Sequence, residues 1–170
     1  GSVGRVVATV EARVVDDDMV DVPRGGIGEI VYRGPTLMHG YWENPAATSE
    51  AFHGGWFHSG DLVRQDEEGF VFVVDRKKDM IISGGENIYC AEVENVLFSH
   101  PRILEAAVIG RPDDRWGEVP VAVVAQRGTD EPDLTLPDLV GWLDGRLAHY
   151  KHPRHLVLVD EKSSTYKIAL

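Results

Sequence analysis

The chain has 170 residues, and its 17 lysines and arginines face 28 aspartates and glutamates, a formal net charge of −11. That balance argues against a general nucleic-acid binder, because phosphate contacts need a basic field. The one cysteine, Cys90, excludes an internal disulfide framework and a four-cysteine zinc site, while 43% apolar residues suit a globular chain of one domain or two small ones.

In chain order, residues 10–15 alternate as a strand should, and Asp16-Asp17-Asp18 reads as a turn. Residues 28–32 are apolar at alternate places, and residues 70–74 are β-branched and aromatic. Arg76-Lys77-Lys78 then marks a shift. Residues 1–75 carry 5 basic and 13 acidic groups, and residues 76–170 carry 12 and 15. The local pattern changes at the same point, which places a boundary near residues 75–79. Beyond it, residues 91–98 set Val93, Val96 and Leu97 on one helical face, and Pro101 helps to stop that helix. Residues 137–149 set Leu139, Val140, Leu143 and Leu147 on one stripe, with Thr135 as N-cap and Asp138 completing a loose capping box. Strands are expected at 80–82, 104–109, 119–126 and 155–159. The order β-α-β-β-α-β predicts an α+β fold with helices on one sheet face. Residues 128–137 read as a polar loop.

Three segments look chemical. Residues 34–45, GPTLMHGYWENP, form a loop bounded by glycine and proline around a Tyr41-Trp42 anchor; from the residues alone, a packed surface loop is the preferred reading. Residues 55–61, GWFHSGD, end an aromatic run on Asp61, whose carboxylate is well placed to accept two hydroxyls such as a ribose diol. Read from the residues alone, it could equally cap a turn. Residues 75–88, DRKKDMIISGGENI, lead from cations through a short strand to Gly84-Gly85, where a ligand can approach the backbone; a plain hairpin turn is the alternative. No GxxxxGK[ST] phosphate loop occurs in the chain. His149, His152 and His155 recur every third residue, but Pro153 prevents one helix from aligning them, so they are read as surface residues near Arg146, Lys151 and Arg154.

Taken together, GPTLMHGYWENPAAT (34–48), GWFHSGDL (55–62) and DRKKDMIISGGENIYCAEVE (75–94) resemble three successive core motifs of the adenylate-forming enzymes. That family contains acyl- and aryl-CoA synthetases, peptide-synthetase adenylation domains and luciferases. KDMIISGGENI and RPDDRWGE (111–118) look most like its bacterial fatty-acyl-CoA synthetase branch. The resemblance implies that residues 1–75 are the β-rich, barrel-forming end of a large adenylating domain. Residues 76–170 would be a small, mobile C-terminal lid domain. It also implies two steps: a carboxylate, here read as a fatty acid, attacks ATP to give an acyl-adenylate, and the thiol of CoA then displaces AMP.

Residue by residue, the resemblance gives Asp61 the ribose hydroxyls of ATP or AMP and gives Arg76 a nucleotide contact. It makes Lys78 the hinge and lets Gly84 and Gly85 admit the pantetheine arm of CoA. Trp56 and Phe57 would pack beneath the nucleotide. Two departures stand out. Cys90 replaces the family's usual proline and is read as a small buried residue. The tail KSSTYKIAL (162–170) lacks the family's proline and glycine, so Lys167 is the candidate catalytic lysine and Lys162 the poorer one. The family's phosphate-gripping loop, its magnesium-binding glutamate and its acyl pocket match nothing in the chain. The Mg2+ ligand is therefore expected outside it, and the missing N-terminal adenylating domain becomes an expected partner. The expected function is the C-terminal fragment of an ATP-dependent acyl-CoA synthetase, inactive alone. The alternatives are a stand-alone nucleotide- or protein-binding module, or a lid serving a carrier protein. With no apolar run of the roughly 18 residues that cross a bilayer and too polar a start for a signal peptide, the expected location is the cytoplasm, with a peripheral membrane position left open.

Overall fold

In the computed structural model, residues 1–128 and 132–159 are described. The alternating run near the N-terminus becomes strand β1 (Glu11–Val15). It pairs with β2 (Ile27–Arg33), which pairs with β3 (Phe57–Gln65), which pairs with β4 (Val71–Arg76). All three pairings are antiparallel, and the sheet order is β1-β2-β3-β4. Asp16 secures the turn after β1, its carboxylate accepting from the Asp18 and Val20 amides at 3.0 and 2.9 Å. Ile30, Val63 and Val71 form the core of this sheet, backed by Ala12, Val14 and Tyr32.

The sheet stays open. The expected barrel is not closed among the described residues, because four strands are too few to curl a sheet fully around; filled barrels use about eight. Between β2 and β3 lies α1 (Pro45–Ala51), which begins where the loop expected at residues 34–45 ends and was not itself expected from the sequence. Asn44 caps it, its Oδ1 accepting from the Ala47 amide at 3.0 Å, and Pro45 occupies the first turn, where its missing N–H does no harm.

The chain divides into two compact units, residues 1–78 and 79–170. The second opens with a hairpin, β5 (Ile81–Ser83) and β6 (Glu86–Ile88). Then come α2 (Cys90–Phe98), β7 (Ile103–Asp113), β8 (Gly117–Gln126), α3 (Leu136–Leu143) and β9 (His155–Val159). β8 is central: β7 runs antiparallel along it and β9 runs parallel beside it. Its residues Val119 and Val121 to Ala125 are all buried, as expected of a strand covered on both faces. Val93 and Leu97 of α2 and Leu139 and Leu143 of α3 join Ile81, Ile88 and Ile103 in one core.

The observed order is therefore β-β-α-β-β-α-β rather than β-α-β-β-α-β. The additional strand, β6, is too short to show a period of its own. The Thr135–Asp138 capping box forms in both directions. The third helix ends at Leu143, earlier than its apolar stripe suggests, because Asp144 turns extended and Gly145 takes a left-handed φ of 71°. Leu147 still packs on the core from beyond the helix. No helix among the described residues is long and apolar enough to cross a membrane.

Candidate functional site

Asp61 lies in the middle of β3, where the strand is deformed. Glu29 of β2 pairs with Leu62 and Val31 pairs with His58, so Ser59, Gly60 and Asp61 together face only Ile30. The bulge is held from within. Ser59 Oγ donates to the Ile30 carbonyl at 2.6 Å and accepts from the Asp61 amide at 3.0 Å. Gly60, at φ 71°, makes a turn that residues with side chains rarely adopt. Across the next pair, Asp61 stands opposite Arg76 of β4, and Arg76 Nε lies 2.8 Å from Asp61 Oδ1. The Asp61 side chain keeps 31% of its surface exposed. Its charge reaches Tyr32, whose hydroxyl pKa is raised first by burial and then by Asp61.

Beside this pair is a group that the sequence reading missed. Glu29 is a buried carboxylate, 5% exposed. It accepts from the Gly60 amide at 3.0 Å, from His58 Nδ1 at 3.1 Å and from Lys77 Nζ at 3.1 Å. Lys77 also reaches Asp17 at 2.8 Å. Burial pushes the Glu29 pKa up, but the three donors outweigh it and hold the carboxyl below its ordinary value. Burial likewise pulls Lys77 down, and its two carboxylate partners raise it above the ordinary lysine value. His58 stacks on His53 at 3.6 Å, and its Nε2 is buried with no hydrogen-bond partner among the described residues. The available signal was a lone acid between apolar neighbours in IGEIVY, on a strand whose faces are both covered.

The aromatic residues before Asp61 pack differently from one another. Trp56 sits between the guanidinium groups of Arg13 and Arg33, at 5.3 and 4.6 Å, and Phe57 packs on Phe52. Trp42, expected as a loop anchor, is 90% exposed among the described residues, while the loop is tied instead by Thr48 Oγ1 accepting from the Tyr41 amide.

Lys78 is exposed in the short helical turn Lys77–Asp79, at the division between the two units. Gly84 and Gly85 form the two-residue turn of the β5–β6 hairpin, at φ 60° and 87°. The Gly84 amide donates to the Trp116 carbonyl at 2.8 Å, and Arg115 and Arg154 lie over the Trp116 ring. Cys90 is buried as expected, and its thiol donates to the Asp79 carbonyl. The histidine reading needs one correction. His152 is 6% exposed, and its Nε2 donates to the Leu147 carbonyl, so it is a core residue of that turn. Lys151 is engaged with Glu92 at 2.6 Å. Lys162 and Lys167 lie outside the described residues.

Residues 1–42 match the family model described as AMP-binding enzyme, and residues 92–167 match the AMP-binding enzyme C-terminal domain. Together the two matches take in more than half of the chain. This chain belongs to the adenylate-forming, AMP-binding enzymes. Indoleacetate–CoA ligase of Aromatoleum aromaticum is 47% identical over 97% of the chain, and feruloyl-CoA synthase of an Amycolatopsis species is 48% identical over the same share. The o-succinylbenzoate CoA synthetase of Bacillus subtilis, solved with its acyl-adenylate intermediate, superposes with a TM-score of 0.82 at 39% identity over 94% of the chain. That enzyme has also been solved with ATP and a magnesium ion. The chain spans about a third of the length of these relatives: 32%, 33% and 32% respectively.

The donor set around Asp61 fits part of a nucleotide. Asp61 is a partly exposed acceptor for hydroxyls, and the neighbouring guanidinium supplies a donor and positive charge. The Gly84-Gly85 turn is a backbone edge with open space at Gly85. Among the described residues no group of three or more histidines, cysteines, aspartates or glutamates could hold a metal ion.

Proposed function

We propose that this AMP-binding chain is the C-terminal part of an ATP-dependent acid–thiol ligase. The enzyme would join a carboxylic acid to ATP as an acyl-adenylate, releasing pyrophosphate, and pass the acyl group to the thiol of CoA, releasing AMP. The observation that carries the proposal is the Asp61–Arg76 pair, one residue short of the Lys77–Asp79 junction between two compact units. In this assignment Asp61 accepts the ribose hydroxyls and Arg76 contacts the nucleotide. Lys78 is the hinge, and residues 79–170 act as a lid. Gly84 and Gly85 admit the pantetheine arm of CoA, and Lys167 stabilises charge during adenylation. The phosphate grip, the Mg2+ ligand and the acyl pocket belong to an N-terminal adenylating portion. The relatives named above carry indoleacetate, feruloyl and o-succinylbenzoate in their names. These are aromatic carboxylic acids, and they favour an aromatic substrate over the fatty acid expected from the sequence.

The test separates the two half-reactions in the full-length ligase, with pyrophosphate exchange reporting adenylation and thioester formation reporting transfer. Asp61→Ala should raise the ATP KM by an amount corresponding to about 2–3 kcal/mol of charged hydrogen bonding. Gly85→Leu should keep exchange and lose thioester. Lys167→Ala should lose exchange. Unchanged ATP kinetics in the first variant, or equal loss of both half-reactions in the second, would defeat the corresponding assignment.

A further inference from the structure

We propose that Glu29 is a positioning residue that binds the nucleotide grip and the hinge into one unit, through a single carboxylate held by the backbone beside Asp61 and by the side chain between Arg76 and Lys78. The role rests on the assignment of Asp61, Arg76 and Lys78 above. The geometry that suggests it lies wholly within residues 1–78.

The bulge at Ser59–Asp61 takes the Gly60 amide out of the β2–β3 ladder. A buried N–H without a partner is costly, and Glu29 Oε1 supplies that partner at 3.0 Å. The second oxygen, Oε2, takes Lys77 Nζ and His58 Nδ1, both at 3.1 Å. A carboxylate with 5% exposure stays charged only when its donors are fixed around it. The same three contacts therefore fix the residues on either side of them in sequence. Gly60 directly precedes Asp61. Lys77 directly follows Arg76 and precedes Lys78. Asp17 holds Lys77 from the other side at 2.8 Å, so the side chain is clamped between two carboxylates. Two consequences follow. The cross-strand Asp61–Arg76 pair is pinned at both ends by contacts outside the pair itself. Any rotation of residues 79–170 must also begin after Lys77, because Lys77 is tied to the first unit.

The test uses the full-length ligase and five variants: Glu29→Gln, Lys77→Met, their double, Lys77→Arg and Asp61→Asn. Glu29→Gln and Lys77→Met should each raise the ATP KM in pyrophosphate exchange by about tenfold and leave the CoA KM within about twofold, a split that general destabilisation does not produce. Because both act along one path, the double variant should be no worse than the stronger single variant. Lys77→Arg should restore ATP binding to within about threefold, since the charge is kept. If Asp61→Asn raises the ATP KM while Glu29→Gln and Lys77→Met do not, the positioning role is wrong and the ligase assignment stands. If Asp61→Asn leaves it unchanged, the ribose assignment fails first. A lowered melting temperature with both KM values unchanged would make Glu29 a purely structural residue and overturn the inference. Should Glu29→Gln fail to fold, Lys77→Met carries the test, because the Lys77 side chain is 39% exposed and its loss leaves His58 and Gly60 on the carboxylate.

Discussion

Gly84 and Gly85 share one turn but not one reason for being glycine. Both have positive φ, where a Cβ costs about 1–2 kcal/mol. At Gly85 a Cβ would meet nothing within 4 Å, so the backbone term is the whole cost. At Gly84 it would lie 2.7 Å from Trp116 Cε3 and 3.0 Å from Cζ3; the Trp116 backbone is tied to the turn by its carbonyl's bond to the Gly84 amide, and Arg115 and Arg154 lie over the ring. Gly84→Ala should therefore destabilise the protein by about 1 kcal/mol more than Gly85→Ala, measured by urea denaturation. Equal losses would mean that the indole moves aside freely. The same two residues show what a sequence reveals at this scale. A double glycine after an apolar stretch marks a turn from local chemistry alone. That Trp116 closes over it is a consequence of β5 meeting β8 at Ser83 and Gly117, a long-range pairing that no local pattern carries. Glu29 was hidden for the same reason, since its donors come from β3 and from the segment after β4.

Elements were readable where they keep their period and obscure where function or a turn breaks it. β1, β8 and β9 show clean alternation or unbroken apolar runs, and α3 announces itself through Thr135 and Asp138. β3 does not, because the Ser59–Asp61 bulge interrupts its alternation at the residues the site needs. α1 carries few apolar residues and buries none, so its only signal was Asn44-Pro45 at its start. The capping box supplies a direct check on α3. Thr135 Oγ1 accepts from the Asp138 amide, and Asp138 Oδ2 accepts from the Thr135 amide at 2.9 Å. Thr135→Ala removes the first bond and loosens the second, and should cost about 1 kcal/mol. Leu139 and Leu143 sit in the main core of residues 79–170, so that loss should appear in the cooperative melting of this unit rather than as local fraying. Thr135→Ser should restore most of it, and an alanine variant with unchanged stability would show that packing alone fixes the helix start.

At the scale of the whole chain, charge and burial respond to acid in opposite ways. A net charge of −11 means that acidification first relieves repulsion and so favours the compact state. Against this stands Glu29, whose pKa is lowered in the folded protein despite the opposing effect of burial. A carboxylate with a depressed folded pKa contributes stability above its unfolded value and loses that contribution as pH falls through the folded value. Lys77, raised in the folded state, behaves in the reverse sense: its contribution is complete below its unfolded pKa and is lost only in strong base, so it does not shape the acid limb. The β2–β3 ladder should therefore loosen as pH falls below about 4.5, and hydrogen exchange of residues 27–33 and 57–65, corrected for intrinsic rates, should show it. Glu29→Gln separates this effect from the general relief of repulsion. The variant should be less protected at pH 7, where it lacks the charged contact to Lys77. In acid, once the parent's Glu29 has taken up its proton as well, the two proteins should match. An acid limb equally steep in both proteins would place the sensitivity elsewhere among the 28 acidic residues, and would mean that Glu29 is not the group whose ionisation holds the two strands together.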